Sequence, residues 1–235
     1  MLITLADLRT QARYRSNMEK SKLVSDAELN TYINSSAAEL YDLLTEAYGS
    51  EYFTISALIP VVPDQTMYDL PDGTLYDNAP AFYELKGVDL QIAGQSFINV
   101  RQFNFNERNR FGDFSVWDLI GITNVRYRLI NNSILFSPKP DRSATLRIWY
   151  VPLPPALVED TDTLDVLNSY SEYVIVDAAI KMLVKEESDV STLQAHKEML
   201  RKRIVDKSAK RDAAIAPSVA DIYAENDDYY WKNGF

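Results

Sequence analysis

Leu40-Tyr41-Asp42-Leu43-Leu44-Thr45-Glu46-Ala47-Tyr48-Gly49-Ser50-Glu51-Tyr52-Phe53-Thr54-Ile55-Ser56-Ala57-Leu58-Ile59-Pro60 is the stretch where the chain changes its hydrophobic period. Upstream of Gly49, apolar Leu29, Ile33, Ala37, Leu40, Leu44 and Ala47 recur at three- and four-residue steps, the stripe of an amphipathic helix. Ser25-Asp26-Ala27-Glu28 has the capping-box pattern that opens such a helix, and Gly49 is a natural stop. Past Tyr52 the run Thr54 to Pro63 is strand-like and bounded by prolines. A long helix that hands over to strands predicts an α+β fold.

On the N-terminal side, Thr4 to about Arg15 reads as a short helix with Thr4 as its cap and Leu5, Leu8 and Ala12 on one face. Residues 16–24 are a polar loop. On the other side, Gln65 to Pro71 alternates with period two, and Asp72-Gly73 marks a turn. Phe82 to Leu90 and Ser96 to Val100 are further strand candidates, separated by a turn at Gly94. Asn104 to Asp118 is a polar and aromatic loop with room for one helical turn. Arg126 to Ile130 and Ser133 to Ser137 form a hairpin about Asn131-Asn132, since Asn tolerates positive φ. Thr145 to Val151 is the next strand.

Helical signals resume at Ser169-Tyr170-Ser171-Glu172, a second capping-box pattern, with Tyr173, Val176, Ile180 and Leu183 on one face. Ser188-Asp189 breaks and recaps the chain. Val190, Leu193, Lys197, Leu200 and Ile204 carry a last helix to about Ala214, folded back as an αα-hairpin. The expected organisation is a discontinuous helical bundle from residues 1–51 and 153–214. Residues 52–152 form an inserted β-rich domain, sandwich- or barrel-like, and residues 215–235 an extended C-terminal tail. That tail has almost no apolar periodicity, yet it places Tyr229, Tyr230, Trp231 and Phe235 within seven residues. Aromatics are enriched at interface hot spots, which marks the tail as a docking element.

Composition removes whole classes of chemistry. The 235 residues include no cysteine, so disulfides, thiol nucleophiles and Cys-ligated zinc are excluded, in keeping with synthesis in a reducing cytosol. A single histidine, His196, rules out His-rich metal sites and the HExxH motif. Among seven glycines none falls in a phosphate-binding spacing, and there is no GxSxG elbow. Asp160-Thr161-Asp162 lacks the glycine and terminal glutamate of a calcium loop. No enzyme, no metal and no cofactor are expected. No run of about 18 apolar residues is present, and Met1 to Leu5 lacks the basic flank of a signal peptide, so no membrane partner is expected.

The net charge of −10 argues against general nucleic-acid binding. Its distribution is uneven. Residues 25–96 hold many carboxylates against the single cation Lys86, whereas Lys197, Arg201, Lys202, Arg203, Lys207, Lys210 and Arg211 crowd one stretch. Such alternation predicts either self-complementary surfaces in an oligomer or salt bridges within the chain. Arg108, Arg110, Phe111 and Trp117 have the residue types of a nucleic-acid stacking surface, but their acidic surroundings favour packing under a loop or contact with a neighbouring subunit.

Three stretches carry a resemblance: Val24 to Asn34 running on to Tyr41-Asp42-Leu43-Leu44, Tyr127-Arg128-Leu129 to Phe136-Ser137-Pro138, and Tyr173 to Lys181 running on to Glu186-Glu187-Ser188-Asp189. With the organisation around them, the chain resembles the head-to-tail adaptor (connector, head-completion) proteins of tailed bacteriophages. The resemblance implies a structural protein of the virion at the head–tail junction, made in the bacterial host cytoplasm. It implies a homo-oligomeric ring of twelve copies beneath the portal, with the genomic DNA passing through a central channel without specific binding. An acidic channel would repel the DNA backbone and so avoid trapping it. The C-terminal segment would dock on the portal protein, with Ile222, Tyr223, Tyr229, Tyr230, Trp231 and Phe235 as contacts. Arg108, Arg110, Phe111 and Trp117 would meet the tail or nozzle protein or a neighbouring subunit. Two other readings are a carbohydrate- or ligand-binding module built on the β-insert and another ring such as a tail terminator.

Overall fold

The fold is taken from a computed structural model, which describes residues 3–49, 52–92, 95–108, 125–164 and 170–208. Those residues form α1 (Leu5–Arg15), α2 (Asp26–Tyr48), α3 (Ser171–Lys185) and α4 (Ser191–Ser208). Ten strands accompany them: β1 (Ile3–Thr4), β2 (Ile55–Val61), β3 (Met67–Asp69), β4 (Phe82–Ile92), β5 (Ile98–Asn99), β6 (Arg101–Gln102), β7 (Arg126–Ile130), β8 (Ser133–Ser137), β9 (Ala144–Pro152) and β10 (Thr163–Leu164). The chain is therefore mixed α+β, as its change of period predicts.

Local sequence sets the helix ends. Thr4 caps α1 in a full capping box with Asp7. At α2 only the hydroxyl half of the expected box takes the lead: Ser25 Oγ accepts from the Glu28 N–H at 3.2 Å. The Glu28 carboxylate turns to Lys185 and to the Tyr32 hydroxyl, because a cation from α3 outbids a backbone amide for it. The helix stops at Gly49, whose φ of 76° is the left-handed region. The start of α3 departs from expectation. Its cap is Tyr170, with no side-chain cap bond, and Ser171 is already helical. Glu172 instead pairs with Arg15 of α1. Asp189 recaps the chain as read, accepting from the Ser191 N–H at 2.9 Å. Between α1 and α2, Arg13 fixes the polar loop by donating to the Val24 carbonyl and the Asp26 carboxylate.

The strands make two four-stranded sheets, in the orders β2-β9-β4-β5 and β3-β8-β7-β6, and β1 pairs with β10. All pairings are antiparallel except β6 with β7. Neither sheet closes into a barrel among the described strands. The hairpin expected at Asn131-Asn132 joins β7 to β8, with Asn131 at φ 51°. Period-two alternation sends Ala57, Ile59 and Val61 of β2, Val88 and Leu90 of β4, and Leu146, Ile148 and Tyr150 of β9 inward. There they share one core with Tyr68, Tyr127, Ile134 and Phe136 of the other sheet.

A second core belongs to the helices. Leu5, Leu8 and Ala12 of α1, Leu29, Ile33, Leu40 and Leu44 of α2, and Leu200 and Ile204 of α4 surround α3. The sequence reads α3 as one-faced. In the structure every residue from Tyr173 to Ile180 is buried, because α1, α2 and α4 all pack on it. Leu183, assigned to that face, is only half-buried. The unbroken run Tyr173-Val174-Ile175-Val176 is the signature of a helix covered on several sides.

Asp160-Thr161-Asp162 docks the N-terminus. Carbonyls of Asp160 and Asp162 accept from Ala6 and Leu5 N–H groups, Asp160 pairs with Arg9, and Asp162 Oδ2 accepts from Val158 and Glu159 N–H. No described helix is long and apolar enough to cross a membrane.

Candidate functional site

Most of the residues singled out for contact lie outside the described residues: Arg110, Phe111 and Trp117 in the segment after β6, and Ile222, Tyr223, Tyr229, Tyr230, Trp231 and Phe235 at the C-terminal end. Arg108 is described. It follows a 3-10 turn at Phe105–Glu107, the single helical turn expected in this loop. Its guanidinium sits 4.8 Å from the centre of the exposed Phe105 ring and donates to the Phe105 carbonyl at 3.2 Å. Arg128 of β7 lies 5.6 Å from the same ring and donates to the Phe103 carbonyl. Two cations thus bracket one solvent-facing aromatic, a paired cation–π arrangement.

The outer face of the β2-β9-β4-β5 sheet holds a second cluster that the sequence reading passed over. Because Leu146, Ile148 and Tyr150 point inward, Arg147 and Trp149 must point outward. Register places Arg147 beside Asp89 and Trp149 beside Gly87. Asp89 Oδ2 accepts from Arg147 Nε and Nη2, at 3.0 and 2.7 Å, and from the Trp149 indole N–H at 2.8 Å. Arg147 also stacks 3.9 Å from the Phe97 ring centre. A Cβ on Gly87 would meet Trp149 Cδ1 at 3.5 Å, so the indole covers the glycine at van der Waals distance. Leu58 stands exposed on neighbouring β2, and Val62 just past its end. Tryptophan and arginine are the residue types that dominate interface energetics, and here both are held rigid. The period-two rule would have found Arg147 and Trp149; Asp89 and Phe97 required the register.

At the seam of the two cores, Tyr41, Phe53, Ile55, Pro152, Leu153 and Leu157 line an apolar groove of about 320 Å³. The Tyr41 hydroxyl reaches across to donate to the Pro152 carbonyl at 2.7 Å, and burial pushes that phenol up to about 12.

Polar chemistry concentrates where α2, α3 and α4 meet. Asp177 is buried, and it receives Ser36 Oγ at 2.6 Å, Lys181 Nζ at 2.8 Å and Lys197 Nζ at 2.8 Å. Lys197 also reaches Glu39 at 2.7 Å, and Glu39 accepts from the Tyr173 hydroxyl. Burial works to raise the Asp177 carboxyl, but the bonds from Lys181, Lys197 and Ser36 outweigh it and hold the group below its ordinary value. Desolvation would lower Lys197; the Asp177 and Glu39 carboxylates reverse that and raise it. Desolvation and then the Glu39 bond raise the Tyr173 phenol. This network ties three helices together and uses the cluster's carboxylates as ion-pair partners. Among the described residues no group of three or more His, Asp or Glu side chains is placed to hold a metal ion. His196 lies half-buried in α4, apart from this network.

The arrangement is thus a scaffold with organised contact surfaces: a rigid Trp–Arg platform, an arginine-bracketed phenylalanine and an apolar groove. A family model described as SU10 adaptor protein matches residues 3–220, which takes in the four described helices and both described four-stranded sheets. No curated protein matches the chain.

Proposed function

Because the chain belongs to the SU10 adaptor protein family, a phage head–tail adaptor family, we propose that it forms a ring between the portal and the tail of a tailed phage. The family makes it a structural adaptor protein of a bacteriophage. The finer reading is ours. Twelve copies surround a channel through which DNA passes without specific binding, and residues 215–235 dock on the portal protein. The β-rich face meets the tail or nozzle protein. The protein performs no catalysis and requires no cofactor.

The observation that carries this reading is the extent of the family match, 3–220, which covers helices and sheets as one unit. The domain boundaries follow from the same reading. Residues 52–152 fold as an inserted β-rich domain on a discontinuous helical unit of 1–51 and 153–214. The separate hydrophobic core of the sheets supports that division. A segment rich in aromatics and poor in apolar periodicity orders on its partner, with a cost of ordering offset by the surface it covers.

Removing residues 217–235 tests the docking role. The truncated chain should keep its helical circular dichroism and thermal midpoint, while its capture by purified portal falls by at least about tenfold, given that a few aromatic anchors carry most of an interface. Capture at the full-length level would sink the role of the tail. Electron microscopy of the purified virion would report copy number and position directly.

A further inference from the structure

Each four-stranded sheet has two open edges, and the four are not alike. β3 is closed by its own chain. Leu70 N–H donates to the Asn132 carbonyl and Phe136 N–H to the Thr66 carbonyl, so Met67 and Asp69 turn their main chain away from β8. There Gln65 Nε2 donates to the Met67 carbonyl at 2.8 Å, and the Tyr76 hydroxyl donates to the Asp69 carbonyl at 2.7 Å. β6 carries the exposed cation Arg101, a common guard against edge pairing. β2 and β5, the two ends of the other sheet, have neither device. No charged residue lies between Glu51 and Asp64, nor between Asp89 and Arg101.

Register shows what these two edges present. A proline inside a strand turns its missing N–H to the open side, so Pro60 puts the main chain of Ser56 and Leu58 on that side as well. On β5, Val100 N–H donates to the Val88 carbonyl at 2.8 Å and Ile98 pairs with Leu90, which leaves Phe97 and Asn99 facing away from β4. The main-chain groups of Ser56, Leu58, Phe97 and Asn99 have no partner among the described residues. Both open stretches are short. That of β2 ends where Pro60 offers no N–H and the Val62 N–H donates to the Tyr68 hydroxyl.

The side chains match as well. Ile55 and Ile98 lie on the inner face and are only half-buried, whereas Val88 and Leu90 between them are fully buried. On the outer face Leu58 is 57% exposed, and Phe97 stands at the opposite edge beside Arg147. β2 and β5 run in opposite directions, because three antiparallel pairings separate them.

We propose that β5 of one copy pairs antiparallel with β2 of the next, so that the sheet continues from subunit to subunit. Ser56 lies opposite Asn99 and Leu58 opposite Phe97, the register that uses all four open residues and sets Ile98 against Ala57 on the inner face. The pairing rests on the ring reading. Opposite edges of one sheet make a head-to-tail contact, which a ring requires and a two-fold dimer does not.

The test uses the full chain assembled on purified portal, with copy number read by native mass spectrometry. The sequence has no cysteine of its own. Ser56→Cys with Asn99→Cys in one chain should, on oxidation, give a ladder of covalent multimers, since paired strands bring opposite Cα atoms to about 5.5 Å, within disulfide reach. The yield should be about tenfold above a control with Ala38→Cys, on the exposed face of α2, and Asn99→Cys. Within one chain the two edge sites are three strand spacings apart, about 14 Å, too far to bond. Each single variant should stay unlinked. Ser56→Pro adds a second proline on the open side, where Pro60 is already accommodated. It should keep the thermal midpoint and lower assembly at least about fivefold, the equivalent of one lost hydrogen bond at each interface. A full ring without the ladder, linkage in either single variant, or undiminished assembly by Ser56→Pro would each overturn the pairing while the ring stands. No ring from the unmodified chain would overturn both, and the copy number tells the two failures apart.

Discussion

Asp177→Ala lowers the stability of the helical core by about 3–5 kcal/mol, the cost of breaking a buried charged cluster by removing one member. The side chain is 5% exposed and is the one group that touches α2 through Ser36, its own helix through Lys181 and α4 through Lys197. Its loss leaves Lys197 paired with Glu39 alone and Lys181 held only by the Ser35 and Ser36 hydroxyls. Asp177→Asn keeps the shape and removes the charge, so about half the effect is expected, in line with about 1.5–3 kcal/mol for a hydrogen bond to a charged group against about 0.5–1.5 kcal/mol for a neutral one. Urea unfolding of the two variants measures both values. A loss below about 1 kcal/mol for the alanine variant would mean that the cluster behaves as an exposed surface pair.

The same carboxylate shapes the response to acid. Its folded value lies below the ordinary 3.8, so its contribution is complete above that pH and is lost as pH falls through the folded value. Lys197 is raised above 10.5, so its contribution is complete below that pH and is lost as pH rises through the folded value. Between these limits the cluster contributes a constant amount. The Asp177→Asn variant should therefore show a flatter decline than the parent below about pH 4, with the neutral plateau lowered but level.

None of this cluster was legible in the sequence as a cluster. Asp177 looks like a polar position on an amphipathic helix, and only the packing of three helices around α3 shows that it is enclosed. Lys181 is a local partner one turn on, but Lys197 and Ser36 lie 20 and 141 positions away, separations at which no local pattern operates. What the sequence did specify was local: the caps at Thr4 and Ser25, the stop at Gly49, the turn at Asn131 and the period-two faces of β2 and β9. The start of α3 was misplaced because a Ser-x-x-Glu pattern is also satisfied when the glutamate serves an ion pair: the cap residue is Tyr170, and Glu172 pairs with Arg15. Of the two readings of the alternating charge, salt bridges within the chain account for part of it: Lys185 and Lys197 pair with Glu28 and Glu39.

Tyr150→Ala should be the most damaging single change in the sheets, at about 3–5 kcal/mol for deleting a fully buried aromatic. Tyr150 sits on β9, the strand between β2 and β4, at 0% exposure. It stacks 6.1 Å from the Phe82 ring, and its hydroxyl donates to the Pro80 carbonyl at 2.7 Å. Tyr150→Phe separates the two contributions. It removes only that hydrogen bond and should cost about 1 kcal/mol, leaving the ring in place. The alanine variant also bears on the proposed division at residues 52 and 152. If the sheets fold as an inserted domain with their own core, amide exchange should accelerate across β2, β4, β8 and β9 by two or more orders of magnitude, since about 1.4 kcal/mol is tenfold. The amides of α1, α2 and α3 should keep most of their protection, because their core contains no residue of the two four-stranded sheets. Equal acceleration in helices and sheets would show that the two cores unfold together, and that the groove beside Tyr41 and Phe53 couples them rather than separating them.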